Sequence, residues 1–258
     1  MASKTALIAT IVVIIVIIAG IAAYYAVHKS KGEKCLRVGT SPDFPPFEYV
    51  AKNGSIVGFD MDLIKLAAHK AGYKCVKIVS MDFDALIPAL QQGKIDVIAA
   101  GMTITPEREK VVAFTIPYWE VDQAVIVSKT GNFRPKKLED LAGKTVGVET
   151  GTTAADYLKK YVKEHNVNIK IKEYSSYVLA VQDLVNGRID AVMLDVPVAK
   201  MFTKKYPVVI AFVVKTGEKY GFAVRKSDTE LLNKLNQALK EIMNSPEWNK
   251  LVEKYFGS

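Results

Sequence analysis

Cysteine and histidine are scarce in this chain. Its 258 residues include two cysteines and three histidines. The histidines stand far apart, at 28, 69 and 165, and no Cys/His spacing suits zinc. No Ser-His-Asp grouping or metal constellation is visible, so neither a metal nor another cofactor is expected. Clustered basic charge is missing too. The chain carries 35 Lys and Arg against 27 Asp and Glu, a net charge of +8. The lysines are scattered, however, and form no block interleaved with aromatics. A groove tracking a nucleic-acid backbone needs such a block, so no nucleic-acid partner is expected. A solvated, lysine-rich surface accounts for the charge.

Charge is absent altogether from residues 6–27, which are mostly Ile, Val and Ala. The run is long enough to span a bilayer, with Tyr24 and Tyr25 where an interfacial belt would lie. A cleaved signal peptide has a shorter apolar core, which favours a retained anchor; cleavage near Ala22 or Ala23 is the alternative. Lys4 precedes the run, while His28, Lys29, Lys31 and Lys34 follow it. The positive-inside rule would keep the rest of the chain in the cytoplasm, but long domains cross regardless of such charges. The functional reading below places it outside, at the cell surface or in the periplasm. The remaining length suits one or two domains with a sizeable core.

The two cysteines, Cys35 and Cys75, each stand at the entry of an apolar run, 36–40 and 76–80. If those runs are adjacent parallel strands, the thiols start side by side. A disulfide and a pair of buried thiols are then both open readings.

The most informative stretch is 95–108. Residues 95–100 form an apolar run of the length of a buried parallel strand. Gly101 ends it and leaves its backbone open to a partner. Thr105 and Pro106 read as the N-cap and first residue of a helix, with Glu107 in its first turn. Arg108 conflicts with that setting, because a cation in the first turn opposes the macrodipole. A carboxylate held between Arg108 and the 101–103 backbone removes the conflict. A solvated surface arginine is the alternative.

Around this stretch the chain alternates strands and helices. A strand at 36–40 leads to a rigid loop with three prolines, 41–48, which excludes helix and central strand. Asn53-Gly54 signals a hairpin between 47–50 and 56–59. Asp60 is expected to cap a helix ending near Ala71, with Gly72 as terminator, and Asp62 to lie in its first turn. A strand at 76–80 and a helix at 83–92 precede the central stretch. Strands are expected at 121–128, 144–149, 169–173, 189–194, 208–214 and 220–225. Helices are expected at 136–141, 151–165, 176–186, 197–204, 228–243 and 246–255. The start at Gly151-Thr152-Thr153 is a second possible anion cradle, or an ordinary threonine cap.

One segment echoes another. Leu90-Gln-Gln-Gly-Lys-Ile-Asp-Val97 resembles Leu184-Val-Asn-Gly-Arg-Ile-Asp-Ala191, and in that alignment Gly101 corresponds to Asp195. Each lies just past the carboxyl end of a strand, where ligands bind in open α/β sheets. Two such units facing each other make a cleft. Asp195 is then the natural counter-charge to Arg108, and an anion and a cation across a cleft suit a zwitterion.

From about Cys35 onward the chain resembles the amino-acid-binding proteins of ABC importers, whose fold is shared by glutamate-receptor ligand-binding domains. The motifs are Phe44-Pro-Pro-Phe-Glu-Tyr49, Gly58-Phe-Asp-Met-Asp-Leu63 with Ala67, Ala68 and Ala71, Met81-Asp-Phe83 with Leu86-Ile-Pro-Ala-Leu90, Gly101-Met-Thr-Ile-Thr-Pro-Glu-Arg108, Gly151-Thr-Thr153 and Tyr220-Gly221, in the family's order. The resemblance implies an α/β, two-lobed, type II periplasmic-binding-protein fold behind an N-terminal transmembrane helix. Residues 1–34 would be anchor and linker. Residues 35–120 with 218–258 would form lobe one, and 121–217 lobe two.

It also implies roles. Arg108 would take a ligand α-carboxylate bidentately, aided by the Gly101 backbone, the Thr103 hydroxyl and amide and the Thr153 amide, with Thr152 also among the ligand-binding residues. Asp195 would take the α-ammonium, and Phe44 and Phe83 would sandwich the side chain. Glu149, helped by Glu48, favours a cationic or amide side chain. Ser41 departs from several relatives, which carry aspartate there; that weighs against lysine and ornithine more than arginine. A monomer delivering a free L-amino acid, arginine first, to importer membrane subunits is the resulting expectation. Glutamine or another polar amino acid is the alternative. A cyclohexadienyl dehydratase-like enzyme on the same fold would need a general acid over the bound ring, such as Glu149 or Glu173, but Asp195 argues for an amino group in the ligand. A sensor ectodomain is weaker still, since nothing resembling a signalling module follows Phe256.

Overall fold

The computed structural model describes residues 35–257 and two isolated helical positions, Ile17 and Gly20. The expected anchor at 6–27 and linker at 28–34 lie outside the described residues, apart from those two positions. No helix among the described residues is long and apolar enough to cross a membrane. The chain divides into two compact units, and the second, Leu36–Ser258, carries the features below.

Strand β1 (Cys35–Thr40) buries Leu36 and Val38 completely. The proline-rich loop follows and contains the short strand β2 (Asp43–Phe44). It pairs with β3 (Glu48–Val50), which forms the expected Asn53-Gly54 hairpin with β4 (Ile56–Val57). Helix α1 (Phe59–Lys70) starts from Gly58, so Asp60 is not its cap. Asp60 is instead fully buried in the first turn, for a reason given below. Strand β5 (Cys75–Ser80) lies beside β1, and both cysteines are disulfide-bonded.

The helix expected at 83–92 is split. A 3-10 turn (Phe83–Ala85) precedes α2 (Leu86–Gln91). Strand β6 (Val97–Ile98) is shorter than the apolar run that announced it, and α3 (Pro106–Glu109) is a single turn capped by Thr105. Strand β7 (Ala113–Phe114) ends this part of the chain, and β8 (Trp119–Ser128) leaves it.

The segment expected as a helix at 136–141 is a 3-10 turn, Leu138–Leu141. Then come β9 (Thr145–Glu149), α4 (Thr153–His165), β10 (Lys170–Tyr174), α5 (Tyr177–Val185), β11 (Ala191–Asp195) and α6 (Val196–Lys205). Strand β12 (Val208–Tyr220) runs well beyond its expected end. The chain finishes with β13 (Ala223–Val224), α7 (Thr229–Met243) and α8 (Pro246–Phe256).

Two five-stranded sheets result, β5-β1-β6-β13-β7 and β10-β9-β11-β8-β12, one in each lobe. The echoed segments supply the third strand of each, β6 and β11. Each is preceded by a glycine with positive φ, 69° at Gly93 and 70° at Gly187, which closes the preceding helix. The sequence echo is therefore a topological one. It puts Gly101 just beyond the end of β6 and Asp195 at the last residue of β11, which runs one residue further than expected.

The lobes are joined by paired strands. In β12, Glu218, Lys219 and Tyr220 face Val121, Glu120 and Trp119 of β8. Tyr220 also bridges to Thr103 in the first lobe. The crossing is anchored by aromatic packing. Trp119 stacks on Phe256 at 4.2 Å, and the buried Phe47 and Phe59 rings pack against Trp119 at 5.9 and 5.2 Å. Burying each such ring contributes about 1.5–3 kcal/mol, so the C-terminal helix is part of what fixes the crossing.

Candidate functional site

Between the lobes lies a cavity with about 340 Å³ of empty space, open solvent included. All eleven residues singled out from the sequence line it: Ser41, Phe44, Glu48, Phe83, Gly101 and Thr103, with Arg108, Glu149, Thr152, Thr153 and Asp195. Asp43, Ala100 and Tyr177 line it as well.

At one end stands Arg108. Its backbone N–H donates to the Thr105 Oγ1 cap at 3.2 Å, as the helix-start signal requires. Its guanidinium does more than wait for a ligand carboxylate. Nη1 donates to the Thr103 carbonyl at 2.7 Å, and Nη2 to the Gly151 carbonyl in the other lobe at 3.0 Å. The guanidinium carbon also sits 5.3 Å from the centre of the Phe83 ring. One arginine thus ties the lobes together and rests on one of the two expected aromatic walls. Five N–H donors leave three beyond these two bonds, enough for a bidentate carboxylate. Burial pulls the guanidinium pKa below its ordinary value, against the fields of Asp156, Glu218 and Asp195.

The start of α4 faces Arg108. The Thr152 hydroxyl accepts from the Ala155 N–H at 3.3 Å and donates to the Glu149 carbonyl at 2.7 Å, so it is occupied as a helix cap. The Thr153 hydroxyl donates to Glu218 at 2.6 Å, and Thr103 donates to the same Glu218 oxygen at 2.9 Å.

Gly101 differs from expectation. Its N–H is not open to a partner but donates to Asp60 Oδ2 at 2.9 Å, which also accepts from the Tyr118 hydroxyl at 2.6 Å. This is why Asp60 is buried inside a helix turn: it holds the loop after β6 in place. Only the Gly101 carbonyl remains for a ligand. Glycine is required here, since φ is +50° and a Cβ would come within 2.8 Å of the Phe44 ring. Phe44 packs on Phe47 at 6.0 Å and on Tyr177 of the other lobe at 5.7 Å.

The rest of the cavity is acidic. Asp195, the last residue of β11, accepts from Gln123 Nε2 and the Tyr220 hydroxyl. Burial, with Glu218 nearby, raises its pKa to about 7. Glu149, at the end of β9, is raised well above the ordinary value, by burial first and then by Asp43. Its Oε1 has no hydrogen-bond partner among the described residues. Glu48 is fully buried on β3, and neither of its oxygens has such a partner. Its pKa also lies well above the ordinary value, chiefly through burial and then through Asp60, Asp43, Glu149 and Asp195. Asp43 accepts from Tyr177 N–H at 2.7 Å and from the Ser41 hydroxyl at 3.3 Å. Burial outweighs those bonds and raises its pKa to about 6. Four carboxyl groups therefore share one cavity with one guanidinium. A positively charged guest would restore the balance.

Sequence reasoning missed Asp43, Tyr177, Gln123 and Glu218. Tyr177 had a readable signal, since it directly follows a serine cap just past a strand end. Asp43, between prolines in a flagged loop, had a weaker one. Gln123 and Glu218 had none, because only the pairing of β8 with β12 brings them to the site.

Comparison with known proteins gives the same architecture and points to transport binding proteins rather than enzymes. The chain is 38% identical over 244 residues to ABC transporter arginine-binding protein 1 of Escherichia coli K12, covering 92% of this chain and 97% of that one. A crystal structure of a mutant of ArgBP from T. maritima superposes with a TM-score of 0.83 at 48% identity, covering 89% of this chain and 97% of the other. An ancestral arginine-binding protein bound to arginine gives a TM-score of 0.82 at 47% identity, covering 88% and 100%. Residues 36–258 match the bacterial extracellular solute-binding proteins of family 3, and the chain belongs to that family.

Proposed function

We propose that this protein captures free L-arginine outside the cytoplasmic membrane and delivers it to an ABC importer. The observation that carries the choice of ligand is Glu48: a fully buried carboxyl group, with no hydrogen-bond partner for either oxygen among the described residues, lining the cavity beside Glu149. A guanidinium offers five donors in a planar fork and a charge that is never lost. It would satisfy these oxygens and relieve the repulsion among the acids.

In this reading Arg108 and the start of α4 receive the α-carboxylate, the Gly101 carbonyl and Asp195 receive the α-ammonium, and Phe44 flanks the side chain. The lobes, 35–120 with 218–258 and 121–217, close on the ligand because its two ends need both halves of the site. The ligand shifts the population toward the closed form, whose shape the importer reads. The protein acts as a monomer, held at the outer membrane face by residues 6–27 or released if they are cleaved. Support for arginine also comes from several relatives whose names specify arginine, although others are named for histidine.

The test is a thermal-shift panel of the twenty amino acids with ornithine and citrulline, followed by calorimetry. Arginine should raise the melting temperature most, because only the folded form binds it. No shift with arginine alongside a clear shift with another amino acid would reassign the ligand. Glutamine is the second reading: burial raises the pKa of the Glu48 and Glu149 carboxyls, and a protonated carboxyl can donate to a side-chain amide oxygen.

A further inference from the structure

Glu218 sits where the lobes meet the crossing strands. Its Oε2 accepts from Thr103 in one lobe, at 2.9 Å, and from Thr153 in the other, at 2.6 Å. Its Oε1 accepts from Gln123 Nε2 at 3.2 Å. Thr103 and Thr153 belong to the group of donors that the arginine reading gives to the ligand's α-carboxylate. Glu218 thus presents the same chemical group, a carboxylate, to donors meant for one.

An amino acid bringing its own carboxylate puts two anions on one set of donors. Like charges so placed repel, so Glu218 must move away. A ligand without a carboxylate meets no such conflict. For it, Glu218 is one more anion just behind the cavity wall at Asp195, since Gln123 Nε2 donates to both Glu218 and Asp195. Counting Glu218, five acids confront Arg108. That balance fits an elongated dication, with a guanidinium toward Glu48 and Glu149 and a primary ammonium toward Asp195 and Glu218.

We infer that Glu218 is an internal carboxylate, and that through it the site takes a second ligand class: guanidinoalkyl amines with no carboxylate. The inference rests on the carboxylate subsite of the arginine reading. It gives one residue opposite effects on two ligands. Amino acids bind by displacing Glu218, whereas amines bind with it in place.

The experiment titrates the full-length chain with arginine and with agmatine, as wild type and as Glu218→Ala, by calorimetry and by competition. Agmatine should bind the wild type and displace arginine. Glu218→Ala should weaken agmatine about tenfold, as expected for losing one charged partner, and should tighten arginine. Glu218→Gln keeps an acceptor without the charge; it should move both ligands the same way by less, and it serves if the alanine variant fails to fold. Arginine binding without agmatine binding overturns the inference and leaves the arginine reading standing. So does a variant that shifts both ligands in one direction or neither. Agmatine binding with no arginine binding supports the amine site and sinks the arginine reading, and binding of neither sinks both.

Discussion

Asp43 accepts a hydrogen bond at 2.7 Å from the backbone N–H of Tyr177, across the cleft. Tyr177 is the first residue of α5, so the carboxylate of one lobe meets the positive end of a helix in the other. The bond can exist only while the lobes are together. Asp43→Ala should therefore weaken arginine binding about tenfold, the scale of one hydrogen bond to a charged group. The loss should appear in the dissociation rate, measured by stopped-flow. An unchanged rate would show that the bond does not hold the lobes together.

Arg108→Ala removes the guanidinium from the expected carboxylate and also cuts the tie between Thr103 and Gly151. Affinity for arginine should fall by about 2–5 kcal/mol, as when a hydrogen-bonded charge pair loses one partner. Arg108→Lys keeps the charge but not the fork and should recover little. Calorimetry on both variants checks this; wild-type affinity in either would remove Arg108 from the site.

Glu48→Gln tests the acidic wall. The substitution keeps the shape and removes the charge that a guanidinium would meet. The melting temperature of the ligand-free protein should hold or rise, because a group costly to ionise in a buried site is gone. The added stabilisation by arginine should shrink markedly. Retention of the full arginine-induced shift would mean that Glu48 does not face the ligand.

The pH dependence has a definite sign. Asp43, Asp60 and Asp195 are raised from 3.8 to about 6, 7 and 7. The folded protein then holds protons that the unfolded chain has lost, so its stability without ligand falls as pH rises from 3.8 to about 7. A bound cationic amino acid favours the ionised form of the cavity acids, Asp43 and Asp195 among them, and expels their protons. Arginine affinity should rise with pH across the same window and level off above it. Calorimetry in buffers of different ionisation enthalpy should detect net proton release; net uptake would contradict the acidic-wall account.

Much of the site could be read before folding. Thr105 caps its helix as expected, Thr152 takes the threonine-cap alternative, and Ser176 caps a helix expected to start there, because capping depends on residues three apart. The eleven candidates line one cavity because most lie just past strand ends or at helix starts, and both features are local. The readings that went astray concern partners, not places. Asp60 looked like a cap, and the Gly101 amide looked free, until each became the other's partner. Those two residues are 41 apart in sequence.

The chain by itself determined the order of strands and helices, the repeat that makes two similar sheets, and the residues brought to the cleft. Periodicity, capping and turn chemistry act over a few residues and leave their mark in the sequence. Tertiary structure decided what each side chain does there: Arg108 bridging two carbonyls, Asp43 reaching Tyr177, Glu218 gathering two threonine hydroxyls, and a set of acids whose pKa values burial raises. Those outcomes depend on distance and on exclusion of water, and both are set by how remote segments pack.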